Sequence, residues 1–283
     1  MEIKAFCKVN LFLSVGAKRA DGYHEIESVM QSISLFDRLT FSRTDSETIE
    51  LSCSKPFVPT DERNLVRKAA DKFFAFTGIV SDGLRIHLEK NVPVGAGLGG
   101  GSSDAAATLS ALNTLYTAGL SEKDLISLAS SIGADVAFFL RGGTQLACGI
   151  GEKLSPLPAM PPLPMLIVKP SFSVSTPKAY AAFDAFGAQP EKDSAEMQRA
   201  LEKEDADALC AALFNSLEAP VVGMHPKIGE IRDAMRACGA LGAMMSGAGS
   251  AVFGIFRTEK EAANARRSLP NTFGKSWICR PVK

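Results

Sequence analysis

A glycine-rich turn is the segment of the chain whose residue types point most directly to chemistry. It contains five glycines and reads Pro93, Val94, Gly95, Ala96, Gly97, Leu98, Gly99, Gly100, Gly101, Ser102 and Ser103. Glycine has no Cβ and tolerates positive φ, so successive backbone N–H groups can face a bound anion. A helix is predicted to follow at once, from Ser102 or Ser103 to Tyr116, and its N-terminus adds further N–H groups and a positive dipole end. The turn is therefore predicted to bind phosphate.

Other glycine motifs and simpler structural roles compete with this interpretation. Residues 95–100 satisfy G-x-G-x-x-G, but Pro93 and the missing βαβ rhythm count against a dinucleotide-binding fold. A Walker loop needs a lysine after its last glycine, and here Gly101 is followed by two serines. A flexible linker is not normally followed at once by an apolar-periodic helix. Ser102 either donates to phosphate or only caps the helix, and both roles stay open.

The elements around the turn indicate a chain of mixed α and β structure. β-branched and aromatic residues predict a strand-rich start over residues 3–54. Helical spacing predicts a helix over 64–77 ending at Gly78, and Ser121 with Asp124 resembles a capping box for a helix through Ile132. Further predictions are strands over 84–88, 165–168 and 275–280, helices over 194–215, 226–238 and 258–268, and a glycine-turned hairpin within 241–256.

A proline-rich segment suggests where the chain divides. Five prolines fall within residues 156–164, and such a segment extends neither a helix nor a central strand. We therefore predict an N-terminal domain over residues 1–155 and a C-terminal domain over residues 156–283. Strands and helices do not alternate regularly, so the predicted class is α+β rather than a doubly wound sheet.

Composition excludes several classes of protein. The 283 residues are 46% hydrophobic and 22% charged, which is typical of globular proteins. Lys plus Arg and Asp plus Glu number 31 each, so no basic field attracts nucleic acid or anionic lipid. Residues 241–256 belong to the longest uncharged stretch, residues 237–256, but Gly242, Gly247, Gly249 and Gly254 interrupt them, which predicts a strand, a glycine turn and a strand rather than a membrane helix. The N-terminus MEIKAFCKVN lacks the long apolar run of an export signal, so we expect a cytoplasmic protein without nucleic-acid or membrane partners.

The cysteines give no sign of a metal or redox site. The six of them are scattered, without C-x-x-C spacing and without a nearby histidine. This pattern argues against a structural zinc site and against a redox pair. We expect them to be buried or idle thiols, at positions Cys7, Cys53, Cys148, Cys210, Cys238 and Cys279.

Several segments together resemble the GHMP small-molecule kinases. Residues 93–103 resemble the phosphate loop of that family, P-x-x-x-G-L-G-G-G-S-S. Residues 8–13, 19–24 and 133–139 are similar to segments of members that act on a cytidine-diphosphate substrate, and residues 246–250 fit the third glycine motif. The agreement in order and spacing runs from residue 8 to about residue 256.

The resemblance implies a fold, a reaction and a pair of catalytic residues. The implied fold is a ribosomal-protein-S5-like N-terminal domain followed by a ferredoxin-like C-terminal domain. The implied reaction uses ATP and Mg²⁺ to phosphorylate the 2-hydroxyl of the methylerythritol unit of a cytidine-diphosphate substrate, in a monomer or homodimer. By position in the matching motifs, Asp135 would be the general base and Lys8 its partner. A carboxylate accepts the hydroxyl proton, and a lysine ammonium keeps that carboxylate ionised.

The resemblance also implies substrate-binding residues. Tyr23 and His24 match positions that read the cytosine, Tyr180 would be a second stacking aromatic, and Asn10 either binds substrate or satisfies the backbone of a strand. Without the resemblance, the tyrosines are ordinary partly buried aromatics, Asp135 is a helix N-cap, and His87 and His225 are structural.

Two residues depart from simple expectations for the family. Ala137 stands where proline is common, which is expected to loosen the backbone beside Asp135. Asp104 is acidic and near the phosphates, and as a carboxylate at a helix N-terminus it needs no further role.

Competing functions make different demands on the sequence. Homoserine, galactose and mevalonate-type kinases share the loop but are expected to lack the Asp-Gly-Tyr-His segment of residues 21–24. A nucleotide-regulated binding protein without catalysis would have no use for a paired Lys8 and Asp135. A dinucleotide oxidoreductase would bind NAD(P)H.

Overall fold

The computed structural model describes residues 1–46, 48–187 and 192–283, and these residues form two compact units. Each unit is assembled from separate chain segments. The first consists of Met1–Cys7, Leu35–Val92 and Gly99–Arg141, and the second of Lys8–Ser34, Pro93–Leu98 and Gly142–Lys283. Two long N-terminal strands, β1 (Glu2–Lys18) and β2 (His24–Arg43), contribute residues to both units.

Two further strands extend the C-terminal half of β2 in the first unit. These are β3 (Ile49–Cys53) and β4 (Leu84–Glu89). β4 pairs antiparallel with β2 and parallel with β3. Leu84, Ile86 and Leu88 are buried and the residues between them are exposed, so β4 has one apolar face and one solvent face.

Four helices complete the first unit. They are α1 (Leu65–Thr77), α2 (Gly100–Leu115), α3 (Glu122–Ser130) and α4 (Phe138–Arg141). α2 packs against all three of the others. It buries Ala105, Ala106 and Ala111, whose small side chains permit close approach.

Capping residues fix two of these helices where the sequence predicted. The Asn64 side chain accepts the N–H of Val66 at 2.9 Å at the start of α1, and Gly78 follows its end with φ of 67°. Ser121 and Asp124 form a capping box at the start of α3. The predicted helix over 64–77 and the predicted box are confirmed.

The second unit contains the remaining strands and helices. The strands are β5 (Thr144–Gly149), β6 (Lys153–Pro156), β7 (Met165–Lys169), β8 (Phe214–Asn215), β9 (Gly242–Met245), β10 (Val252–Ile255) and β11 (Lys275–Cys279). The helices are α5 (Thr176–Phe186), α6 (Ala195–Glu202), α7 (Ala206–Ala211), α8 (Glu218–Met224), α9 (Pro226–Ala237) and α10 (Glu259–Ser268). β5 pairs antiparallel with the N-terminal half of β2 and with β6.

Four strands of the second unit form a ferredoxin-like sheet. They are antiparallel, in the spatial order β11-β7-β10-β9. α9 packs on β9 and β10, and α10 packs on β7 and β11, so these elements follow a βαββαβ order along the chain. Ile228, Ile231 and Met235 of α9 belong to the core of this unit. The predicted α+β class and the predicted hairpin, formed by β9 and β10, are confirmed.

The prediction of one helical region over residues 194–215 is wrong. Asp205 separates α6 from α7, because its side chain accepts the N–H of Ala208 at 3.0 Å and so starts a new helix. Phe214 and Asn215 then form β8, parallel to β1. Elsewhere, none of the helices in the described part of the chain is both long and apolar enough to cross a bilayer.

Candidate active site

The glycine-rich turn has the backbone conformation that only glycine adopts readily. Gly95, Gly97 and Gly99 have φ of 60°, 74° and 68°. At Gly97 a Cβ would lie 2.0 Å from the carbonyl oxygen of Ser246. This position therefore excludes every other residue by both conformation and space.

Helix α2 begins earlier than the sequence predicted. Its first residue is Gly100, preceded by the left-handed Gly99, so the predicted start at Ser102 or Ser103 is wrong. The first turn contains glycines, which have low helix propensity, so the sequence pattern did not predict it as helical. Ser102 lies inside this turn and is not the N-cap, so its role as a mere cap is excluded. The unpaired N–H groups of the first turn lie within the glycine segment, as a phosphate site requires.

The last residues of the turn differ in what surrounds them. Ser103 is buried, and its hydroxyl donates to the carbonyl oxygen of Phe6 at 2.7 Å, so it stabilises the fold. Gly101 is exposed, and a Cβ there would meet only Leu65 Cδ1 at 3.6 Å. The first helical turn thus accepts a side chain at position 101.

Lys8 lies in a buried polar network on β1. Its ammonium donates to Asn10 Oδ1 at 2.5 Å and to the carbonyl oxygen of Gly97 at 3.2 Å. The amide of Asn10 in turn donates to Ser28 Oγ at 2.8 Å. Lys8, Asn10 and Ser28 are all buried. The Asn10 side chain therefore holds the lysine head, whereas the sequence left open whether it serves the backbone.

The third glycine turn contacts the same point of the loop. Ser246 Oγ donates to the carbonyl oxygen of Gly97 at 3.0 Å, so this oxygen accepts from both Ser246 and Lys8. The N–H of Ala251 donates to the carbonyl oxygen of Ala96 at 3.1 Å. A Cβ at Gly247 would lie 3.1 Å from Asn10 Oδ1. The structure thus brings together Lys8, Asn10, residues 96–97 and the 246–250 turn.

Asp135 lies in the turn before α4 and is half-buried. The N–H of Val136 closes this turn on the carbonyl oxygen of Gly133 at 3.1 Å. α4 begins at Phe138, so Asp135 is not at its N-cap position. Asp135 belongs to the first unit and Lys8 to the second, and their pairing stays a prediction.

His24 is the centre of an aromatic and charged cluster. Its ring lies 5.3 Å from that of Tyr180 and 5.9 Å from that of Phe183. Its Nε2 is 2.8 Å from Asp184 Oδ1, and Lys18 donates to the other oxygen of Asp184 at 2.6 Å. Hydrogen bonds from Lys18 and His24 hold the pKa of Asp184 below its ordinary value. The carboxylate therefore stays ionised and fixes the orientation of the buried imidazole.

Tyr23 is a surface residue and not an ordinary partly buried tyrosine. It is 61% exposed, and its N–H donates to Asp21 Oδ1 at 3.1 Å. An exposed aromatic ring next to His24 in the chain can present a π-face to a planar ligand. The other two histidines have structural neighbours, since His87 bonds Ser52 and His225 stacks on Phe172.

Sequence reasoning missed a buried ionic cluster below the first turn of α2. Lys90 donates to Asp104 Oδ2 at 2.6 Å and to Asp37. Burial lowers the pKa of Lys90, but the charges of Asp104 and Asp37 outweigh it, so the net shift is upward. The view of Asp104 as a simple helix-terminal carboxylate is wrong, because the residue is 2% exposed. Charged residues inside apolar runs, such as Asp37 between Leu35 and Leu39, were the available signal.

Two other residues that sequence reasoning missed are on α5. Phe183 and Asp184 follow Tyr180 at helical spacing, so they share its face of α5.

Within the described residues, no group of three or more His, Cys, Asp or Glu is arranged to hold a metal ion. Burial raises the pKa of the Cys210 thiol to about 12, as expected of an idle cysteine.

Two family models match this chain. The model of the GHMP kinases N terminal domain matches residues 64–143, and that of the GHMP kinases C terminal matches residues 197–275. The predicted domain boundary near residue 156 falls between the two matches and stays a prediction.

Close relatives cover nearly the whole chain. A 4-diphosphocytidyl-2-C-methyl-D-erythritol kinase of Desulfitobacterium hafniense (strain Y51) is 45% identical over 263 residues, which are 93% of this chain and 89% of the relative. One of Clostridium botulinum (strain Eklund 17B / Type B) is 39% identical over 282 residues, 100% of both chains.

Solved structures extend the comparison to the fold. A crystal structure of 4-(cytidine 5'-diphospho)-2C-methyl-D-erythritol kinase has a TM-score of 0.85 at 39% identity and covers 99% of both chains. The homoserine kinase from Cytophaga hutchinsonii has a TM-score of 0.75 at 21% identity, covering 96% of this chain and 94% of its own, and shares the fold.

Proposed function

This chain belongs to the GHMP kinase family and, within it, to the 4-diphosphocytidyl-2-C-methyl-D-erythritol kinases, and we propose on that premise how its residues carry out the reaction. The reaction is the ATP-dependent phosphorylation of the substrate's 2-hydroxyl, giving the 2-phosphate and ADP, in the non-mevalonate isoprenoid pathway. The observation that carries the proposal is the buried network in which Lys8 and Ser246 both donate to the Gly97 carbonyl. In this network a lysine ammonium touches the loop that we assign to ATP.

The glycine-rich turn holds the polyphosphate of ATP. Its left-handed glycines and the first N–H groups of α2 supply hydrogen-bond donors and a positive dipole end. We assign residues 93–103 to this role as one segment. Ser103 contributes by fixing the first turn of α2 to β1 through its bond to Phe6.

Asp135 is the general base. Its carboxylate accepts the proton of the 2-hydroxyl while the hydroxyl oxygen attacks the γ-phosphorus in line. The bond from the γ-phosphorus to the bridging oxygen breaks, and ADP leaves with that oxygen and the electron pair. The captured proton then passes to solvent. The protein forms no covalent bond in phosphoryl transfer. A carboxylate placed at the hydroxyl and positive groups that stabilise the charge of the transition state are therefore sufficient.

Lys8 stabilises the negative charge that develops in this step, and Asn10 positions the Lys8 ammonium. An ammonium beside the base keeps the carboxylate ionised and attracts the transferring phosphoryl group. Asn10 restrains the flexible lysine through its 2.5 Å hydrogen bond. The neutral amide does so without cancelling the positive charge.

Tyr23, His24 and Tyr180 bind the cytosine. We assign the ring hydrogen of His24 to Nε2, where Asp184 accepts it, and this tautomer offers Nδ1 as an acceptor. An acceptor matches the 4-amino group of cytosine and rejects the carbonyl that uracil carries there. Tyr180 packs against His24 and Tyr23 presents an exposed ring, so stacking supplies the remaining affinity.

Mg²⁺ accompanies ATP in this proposal. Bound with the nucleotide, the ion would supply positive charge that neutralises the negative charge developing on the phosphates. Proteins commonly bind Mg²⁺ through one or two carboxylates together with the substrate phosphates, and ATP held by residues 93–103 would supply those phosphates. We further propose a cytoplasmic monomer or homodimer without a nucleic-acid partner, in keeping with the balanced charge.

Product analysis tests the proposed function. The full chain is incubated with ATP, Mg²⁺ and the cytidylyl substrate, and the phosphorus NMR spectrum and the ADP formed are recorded. We expect one new phosphomonoester on the 2-oxygen, equimolar with ADP, and almost none with Asp135→Asn. ADP formation without a phosphorylated acceptor would contradict the proposal.

A further inference from the structure

A buried cluster of one lysine and two carboxylates lies behind the first turn of α2 and has no part in the chemistry above. The Lys90 ammonium bridges Asp37 and Asp104, and all three side chains are more than nine-tenths buried. Lys90 Nζ is 3.1 Å from the point that a Cβ would occupy at Gly100. The cluster is therefore adjacent to the helix start that we assign to ATP.

The two carboxylates of the cluster have unequal surroundings. Asp37 accepts the N–H groups of Asn91 and Val92 at 2.6 and 2.8 Å, in addition to Lys90. Asp104 accepts from Lys90 through Oδ2, whereas its buried Oδ1 has no hydrogen-bond partner within the described residues. An ionised oxygen buried without a donor is costly, so a proton bound by the cluster belongs on Asp104.

Within the described residues, the helices that pack on α2 bury no charged side chain that could balance Asp104. α1, α3 and α4 pack against α2, and their buried residues are apolar throughout. Burial has the largest effect on the pKa of Asp104 and raises it. The charge of Asp37 also raises this pKa, whereas the charge of Lys90 lowers it, and the result is a pKa of about 8. With Asp104 ionised the cluster carries one net negative charge, and with Asp104 protonated it is neutral.

We propose that Asp104 is a proton-linked positioning residue of the nucleotide site, and that ATP binds the protonated form more tightly than the ionised form. The inference rests on the assignment of the ATP phosphates to residues 93–103. A negative charge in the second turn of α2 opposes an anion at its N-terminus, because it offsets the positive end of the helix dipole. By linkage, ATP binding must then draw a proton from solvent onto the Asp104 carboxylate.

Titration calorimetry of ATP at pH 8, in two buffers of different ionisation enthalpy, tests the coupling. ATP itself is almost fully ionised there, since phosphate monoesters lose their last proton near pH 6. The control is Asp71→Asn, at a half-buried acid of α1 that is paired with Arg67. We expect net proton uptake by the parent and by this control, and none by Asp104→Asn. The ATP affinity of the parent should fall about 5-fold or more from pH 6.5 to 9.5, and that of Asp104→Asn should stay constant.

Thermal melting without nucleotide tests the proton independently. A raised carboxyl pKa means that the folded chain keeps a proton that the unfolded chain releases, so stability falls as pH rises from about 4 to about 8. Asp104→Asn has no carboxyl proton to lose, so its stability should not fall in this way. The difference in Tm between the variant and the parent should therefore increase in favour of the variant up to about pH 8 and remain constant above that pH. A Tm difference independent of pH would overturn the assignment of the proton to Asp104.

The outcomes separate this inference from the proposed function. ATP binding by the parent without proton uptake would overturn the coupling and leave the nucleotide site standing. Absence of ATP binding at any pH would overturn both. If Asp104→Asn does not fold, the two measurements on the parent still test the coupling. A parent that takes up no proton on binding ATP, or whose ATP affinity does not depend on pH, contradicts it.

Discussion

Lys8 is a buried ammonium that donates to Asn10 Oδ1 and to the carbonyl oxygen of Gly97. Removing a cation from water costs free energy, which hydrogen bonds and anions near the cation offset. In the proposed mechanism these anions are the Asp135 carboxylate and the phosphates of ATP. The proposal therefore treats Lys8 and Asp135 as one electrostatic unit, and substitution of each residue tests it.

Substitution of Asp135 separates catalysis from structure. Asp135→Asn keeps the shape of the side chain but removes the proton acceptor, so kcat should fall by about 10²- to 10⁴-fold with nearly unchanged ATP binding. Steady-state kinetics together with a melting curve checks this. A folded variant within threefold of the parent would remove Asp135 as the base.

Lys8→Met should lower kcat by a similar factor. Because the two residues act together, the double variant should lose much less than the product of the single losses. Independent, multiplicative losses would show that Lys8 and Asp135 are not a unit.

Tyr23 provides the corresponding test of base recognition. Stacking on one aromatic contributes roughly 1 to 3 kcal/mol, so Tyr23→Ala should raise KM for the cytidylyl substrate about 5- to 150-fold and leave KM for ATP unchanged. Phe57→Ala, at another exposed aromatic of the surface, is the matched control and should change neither. Equal losses for both substrates in Tyr23→Ala would exclude its proposed role.

At the scale of elements, the start of α2 joins the fold and the nucleotide site. Gly97 and Gly100 are required by packing, since a Cβ would lie 2.0 Å from Ser246 O and 2.8 Å from Val92 Cγ1 respectively. Substitutions there disturb the protein itself. Gly101, which is exposed and has room for a Cβ, is the position that reports on the ligand.

Gly101→Val should block phosphate approach to the first turn of α2 while the fold survives. Loss of one charged hydrogen bond costs about 1.5 kcal/mol or more, so KM for ATP should rise about 10-fold or more. Gly101→Ala, whose smaller side chain leaves more of the N–H groups accessible, should lie closer to the parent. Parent-like KM values for the folded valine variant would move the phosphates away from this turn.

Elements governed by near neighbours in sequence were the ones that could be predicted. Asn64, Gly78 and the box of Ser121 and Asp124 act within one helical turn, so the sequence contains the whole signal. α5 was missed although Ser175 and Pro177 are a start signal, and α8 was missed because Leu217 at its N-cap gives no such signal. The cluster of Lys90 with Asp37 and Asp104 depends on pairing between β2 and β4 and on the helix beyond them, so only the folded chain reveals it.

At the scale of the whole molecule, the chain divides less simply than its composition suggests. The proline-rich segment at residues 156–164 is a local feature, and the predicted domains 1–155 and 156–283 follow from it. Each compact unit consists of three separate chain segments, because β1 and β2 contribute to both units. Long-range strand pairing of this kind cannot be inferred from composition. The motifs of the site were recognisable because each is short and continuous.

The central claim concerns the substrate of the intact enzyme, and a competition among acceptors tests it most directly. The full chain receives ATP, Mg²⁺ and equal concentrations of 4-diphosphocytidyl-2-C-methyl-D-erythritol, homoserine and mevalonate, and the kcat/KM of each is obtained from the phosphorylated products. A site that hydrogen-bonds one base should favour the cytidylyl substrate by about 10⁴-fold. Homoserine or mevalonate phosphorylated with an equal or greater kcat/KM would contradict the account.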